Sequence, residues 1–141
     1  MRVSGPVTLA TRNAGKLAEL QALCRGVLEL RPLPSDPAPP EVDEDQDSYL
    51  GNALKKARAI AAFTGGAALA DDSGLEVDTL PGELGVRSAR YGGPDLDDAG
   101  RCARLLAALQ GVPQRSARFR CVLVLAQGEA WVSAEGTLEG E

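Results

Sequence analysis

Residues 7–20 read Val7-Thr8-Leu9-Ala10-Thr11-Arg12-Asn13-Ala14-Gly15-Lys16-Leu17-Ala18-Glu19-Leu20, and their order sets the architecture. Residues 7–10 are a short β-prone run, and residues 11–15 a polar turn. Leu17, Leu20, Leu23 and Cys24 then recur at helical spacing, with Lys16, Glu19 and Gln21 between them. Strand, tight loop and helix in that order open an α/β sheet. A second strand is expected at residues 27–30, closed by Pro32 and Pro34.

The same grammar continues along the chain. After a proline- and acid-rich stretch that includes Glu41, Asp43, Glu44, Asp45 and Asp47, Ser48 is placed to cap a helix over residues 49–63. Its apolar face is Leu50, Ala53, Leu54, Ala57, Ile60 and Ala61, and Gly65-Gly66 stops it. Residues 67–70 form a short apolar strand that ends abruptly at Asp71-Asp72-Ser73-Gly74, and residues 75–77 resume an extended pattern. Asp95, Asp97 and Asp98 lead a third helix through Leu109, with Cys102, Leu105, Leu106 and Leu109 inward. Residues 117–126 and 130–138, separated by Gly128, read as an antiparallel hairpin. The expected architecture is α/β: a mixed twisted sheet with flanking helices, in one domain over residues 1–141.

Composition removes several function classes. With 20 acidic and 15 basic residues the net charge is -5, which disfavours a nucleic-acid polymer or a membrane surface as partner. Aromatics are 4%, too few for base-stacking platforms. There is no histidine, so Ser-His or Cys-His catalysis and His-ligated zinc are excluded within these residues. Three widely spaced cysteines read as reduced, mostly buried thiols, and no apolar run is long enough to span a bilayer. Without a signal-peptide pattern at the start, the expected location is cytoplasmic.

Four segments could carry chemistry. The strand-to-helix turn at residues 11–16 offers unpaired amides, the positive end of a helix dipole and Lys16, a combination suited to phosphate. A simple capped helix start, with Asn13 serving the turn, explains the same residues. Asp71-Asp72 at a strand end would be costly unless solvated or bound to a cation, and hard oxygen donors without histidine favour Mg²⁺. An Asx-type turn into Gly74 is the alternative. Only one of two neighbouring strand residues should face a shared site. Lys55, Lys56 and Arg58 read in isolation as a solvated helix face, and Arg87-Ser88-Ala89-Arg90-Tyr91 as a surface loop able to fork onto phosphate. Together they suit metal-assisted attack of water on phosphorus.

The segments LATRNAGKLAEL, YLGNALKKA, ALADDSGLEVD, GVRSARY and ARFRCVLVLA, in that order between Val7 and Gly136, resemble the inosine/xanthosine triphosphate pyrophosphatase family. The resemblance implies the fold of that family and Mg²⁺-dependent hydrolysis of non-standard purine nucleoside triphosphates to monophosphate and pyrophosphate. It implies that Thr11, Arg12, Asn13, Ala14, Gly15, Lys16, Lys56, Ser73 and Arg90 contact substrate. Glu44 and Asp72 would hold Mg²⁺, with Asp72 also activating water. The family is usually homodimeric.

This sequence departs from the family pattern at three points. Gly51 precedes Asn52 where a Glu is usual. The acidic loop reads Val42-Asp43-Glu44-Asp45-Gln46-Asp47, leaving Asp43 open as the metal ligand in place of Glu44. The sequence ends at Glu141, before the FGYD and Ser-His-Arg segments with which the family grips the purine. A nucleotide- and metal-binding remnant, or a pyrophosphatase with relaxed base preference, are the competing expectations.

Overall fold

The computed structural model describes residues 1–141. Five strands and three helices follow the order β1 (Val7–Leu9), α1 (Ala14–Leu23), β2 (Leu30–Arg31), α2 (Tyr49–Thr64), β3 (Ala67–Val77), a 3₁₀ turn (Gly85–Arg90), α3 (Asp98–Ala108), β4 (Ala117–Gln127) and β5 (Ala130–Gly140). The strands form one sheet in the order β2-β1-β3-β4-β5. β1 runs parallel to both neighbours, with Val7 opposite Leu30 on one side and Val7, Thr8 and Leu9 opposite Ala67, Ala68 and Leu69 on the other. The two-residue connection at Gly128-Glu129 joins adjacent strands β4 and β5, which requires them to be antiparallel. The sheet is therefore mixed and flanked by helices, as the sequence predicts.

Contacts divide the chain into two units, Met1–Asp72 with Val122–Glu135, and Ser73–Cys121 with Gly136–Glu141. In the first unit, strand alternation sends side chains into two cores. Val7, Leu9, Ala67 and Leu69 pack with Leu17 and Leu20 of α1. Ala68 and Ala70 pack with Ala53, Ala57, Ile60 and Ala61 of α2, and with Val122, Val124 and Ala126 of β4. The small residues on both partners let helix and sheet approach closely. In the second unit Val77, Leu84 and Leu109 are buried together, with Leu105 and Tyr91 against them. Arg118 ties Asp78 at 2.9 Å to Glu139 at 3.1 Å.

The caps follow the sequence. Ser48 Oγ accepts from the Gly51 amide at 3.0 Å, and Gly65 ends α2 in the left-handed region at φ +75°. Asp97 caps α3 by accepting from Gly100 N–H at 2.7 Å.

Several expectations are corrected. β3 does not stop at Asp71; it continues unbroken to Val77, because the acidic residues are paired inside the fold. β2 shrinks to Leu30–Arg31, with Val27 exposed. α3 turns only the Leu105 and Leu109 stripe inward; Leu106 and Cys102 are exposed, as are Leu23 of α1 and Leu50 of α2. All three cysteines are free and none is buried: Cys24 and Cys121 are half-buried. No helix is long and apolar enough to cross a membrane.

Candidate functional site

β1 is where the sheet changes direction. The chain crosses from β1 through α1 to β2 on one side, then through α2 to β3 on the other. In such sheets the crevice lies beyond the carboxyl ends of the strands on either side of that switch. Here β1 ends at Leu9, and Ala10 N–H donates to Leu69 O at 2.8 Å, so Asp71 and Asp72 extend past the end of β1.

The turn after β1 is shaped by its own side chains. Asn13 N–H donates to Thr11 Oγ1 at 3.2 Å, and Asn13 Oδ1 caps α1 by accepting from Lys16 N–H at 3.1 Å. Asn13 thus does serve the turn. The Ala14 and Gly15 amides in that first turn have no acceptor within the helix. Lys16 Nζ lies 2.7 Å from Asp71 Oδ2, an ion pair whose carboxylate is nearly enclosed, and this binds the turn to β3.

Alternation separates the two aspartates. Asp71 meets Lys16 of α1, whereas Asp72 accepts at Oδ2 from Asn52 Nδ2 of α2 at 3.0 Å. Asp71, Asp72 and Asn52 are the buried polar residues, at 6%, 8% and 1% exposure. Buried carboxylates require such partners, since an unpaired charge away from water is strongly disfavoured.

Asn52 also accepts at Oδ1 from Gln46 N–H at 2.9 Å, so a single buried amide joins the acidic loop to the β3 carboxylate. The loop comes close because residue 51 is glycine: a Cβ there would sit 2.9 Å from Gln46 Cβ. Asn52 is not among the site residues that the sequence predicts. Its signal is its position one turn before Lys56 on the face that also carries Ala53 and Ala57.

Lys55 and Lys56 are not a merely solvated pair. Lys55 Nζ reaches Asp43 O at 2.9 Å and Asp45 Oδ1 at 2.8 Å, and the latter hydrogen bond holds the Asp45 carboxyl below its ordinary range. Lys56 Nζ meets Glu44 Oε1 at 2.5 Å. A cleft of about 360 Å³ is lined by Thr11, Arg12, Glu41, Asp43, Glu44 and Lys56, among others. Four sequence-predicted residues, Thr11, Arg12, Glu44 and Lys56, thus share one cleft, with Asp43 in the same wall. Arg12 there lies 3.8 Å from Glu41, both well exposed, a weak pairing. Ser73 follows Asp72 in β3 and is half-buried, while Arg90 closes the 3₁₀ turn of the second unit.

Fold and cleft together define an α/β protein with a charged crevice at the switch point of its sheet. The sequence matches the Ham1 family over residues 7–141, and the chain belongs to that family. It is 48% identical over 95% of its length to a dITP/XTP pyrophosphatase of Desulforamulus reducens, covering 69% of that protein. It is 49% identical, also over 95% of its length, to a dITP/XTP pyrophosphatase of Thioalkalivibrio sulfidiphilus, covering 71% of it. Among solved structures, a HAM1 protein from Coxiella burnetii superposes with a TM-score of 0.87 at 38% identity, covering 98% of this chain and 73% of that one. The Staphylococcus aureus Ham1 protein gives a TM-score of 0.85 at 30% identity, covering 97% and 71%.

Proposed function

We propose that this chain carries the phosphate- and metal-binding groups of a nucleoside triphosphate pyrophosphatase acting on non-standard purine nucleotides such as dITP and XTP. The observation that carries the reading is the convergence of Thr11, Arg12, Glu44 and Lys56 on one cleft at the sheet's switch point. Relatives named dITP/XTP pyrophosphatase, at 48–49% identity, support the substrate class.

In this reading the Ala14 and Gly15 amides, with Thr11, Arg12 and Asn13, receive the triphosphate at the α1 N-terminus. Lys16 and Lys56 hold positive charge beside it. Both lysines are paired with carboxylates, Lys16 with Asp71 and Lys56 with Glu44. Those pairs keep the cations positioned before substrate arrives. Glu44 and Asp72 are the groups that would hold Mg²⁺, whose charge offsets that of the triphosphate. Both are hard carboxylate oxygen donors, the kind this ion takes, and Glu44 lines the cleft with Glu41 and Asp43. Shared binding by one or two carboxylates and the substrate's phosphates is the usual arrangement for Mg²⁺.

Asp72 takes the proton from the attacking water, and Asn52 fixes the carboxylate's orientation through Oδ2. The water oxygen bonds to the α-phosphorus. The bond from that phosphorus to the bridging oxygen breaks, and its electron pair leaves with pyrophosphate. Reaction in ¹⁸O-water tests this assignment. The label is expected in the nucleoside monophosphate, and label in pyrophosphate would contradict attack at the α-phosphorus. The reading extends to a homodimer working in the cytoplasm, supported by three free cysteines and by the exposed edge strand β5.

A further inference from the structure

We infer that Arg87, Arg90 and Arg104 of the second unit form a binding site for a polyphosphate anion. This goes beyond the pyrophosphatase reading, and only Arg90 is shared with the contacts that the family resemblance implies. Arg87 and Arg90 stand three residues apart on the 3₁₀ turn, a spacing at which side chains eclipse and lie side by side. Arg104 joins them from α3, and the three line a concavity of about 530 Å³ with Tyr91 and with Glu83 as its one carboxylate.

The scaffold is fixed by anchors other than the arginines themselves. Ser88 Oγ accepts from Leu75 N–H at 2.9 Å and donates to Gly85 O at 2.7 Å, which locks the 3₁₀ turn to β3. Arg101 donates to Leu96 O and, at 3.2 Å, to Gly93 O, which holds the following loop to α3. Gly92 is at φ +82°, and a Cβ there would fall 2.5 Å from Leu96 Cδ1 and 3.3 Å from Arg104 Cγ. Only glycine lets the stem of Arg104 lie against this turn.

Charge supplies the second half of the argument. Lys16, Lys55, Lys56 and Arg118 all pair with carboxylates in this acidic chain. The Arg90 and Arg104 side chains make neither an ion pair nor a hydrogen bond, and the Arg87 guanidinium reaches only Gly82 O at 3.3 Å. Three converging guanidiniums against one carboxylate leave a local excess of positive charge, which an anion relieves. Each guanidinium presents a planar fork suited to two phosphate oxygens, and the concavity exceeds what one phosphate fills. Inorganic pyrophosphate and the tail of a nucleotide share this chemistry.

The test is arginine side-chain NMR of the full chain without divalent metal, so that nothing is turned over. The Nε–H signals are assigned through Arg87→Ala, Arg90→Ala and Arg104→Ala, all at exposed positions. Inorganic pyrophosphate is expected to shift all three signals saturably, and Arg104→Ala to weaken that binding about tenfold. Arg104→Lys should recover only part, because charge returns without the fork. If dITP binds in the same way, the site also takes nucleotide tails; if only pyrophosphate does, it takes the free anion. Signals unmoved by pyrophosphate, or moved equally by deoxyinosine without phosphate, would overturn the assignment. A chain that fails to hydrolyse dITP can still bind pyrophosphate here, so the two readings fail separately.

Discussion

Asn52 holds two parts of the site together through one side chain. Its two amide atoms are spent on the buried Asp72 carboxylate and on the backbone of Gln46, an exposed residue of the acidic loop. Asn52→Leu keeps the volume and removes both hydrogen bonds, depriving the buried Asp72 carboxylate of its amide donor. The expected loss is about 2 kcal/mol, in the range of roughly 1.5–3 kcal/mol for a hydrogen bond to a charged group. Urea denaturation should show a lower midpoint at unchanged slope, and pyrophosphate release should fall at least tenfold. Full stability in this variant would mean that Asp72 is held by other contacts.

Among the helices and strands, α2 sets the site because its ends are sharply defined. Gly65 sits at φ +75°, and a Cβ added there would meet nothing within 4 Å, so its role is purely conformational. Gly65→Ala should cost about 1 kcal/mol through the left-handed backbone alone, whereas Gly66→Ala should stay within about 0.5 kcal/mol. Paired thermal melts of the two variants make the comparison; equal effects would contradict this reading of the helix end. Both caps of α2 are legible in the sequence because capping is local chemistry: a serine accepts from an amide three residues on, and glycine tolerates a positive φ. The continuity of β3 is not legible. Asp71 and Asp72 look like a strand terminator until Lys16 and Asn52, 55 and 20 residues away, are seen to receive them. The same non-local pairing hides Asn52, and it explains why Lys56 reads as solvated when taken alone. α3 misleads in the other direction, since its leucines satisfy helical spacing while only the Leu105 and Leu109 stripe finds a core.

For the molecule as a whole, β5 is the informative surface. It forms an edge of the sheet and is exposed along its length, with Val132 at 47% and Leu138 at 73% exposure. Open edges with apolar side chains recruit further chains. Self-association through β5 is therefore expected, and Val132→Lys with Leu138→Lys should reduce it without unfolding the chain. Sedimentation velocity across a concentration series reads this directly; unchanged association in the double variant would place the contact elsewhere. The matched relatives extend further, this chain spanning 69% of the Desulforamulus reducens protein.

In the proposed reaction the carboxylate of Asp72 drives cleavage of a nucleoside triphosphate received at the cleft lined by Thr11, Arg12, Glu44 and Lys56. Pyrophosphate release from dITP with Mg²⁺, measured for the wild-type chain and for Asp72→Asn side by side, puts that role to the test. Release by the wild type is expected, abolished by chelating the metal. Substitution should lower it at least about a hundredfold, in the range general-base catalysis contributes. Equal release by the two proteins would contradict the role given to Asp72.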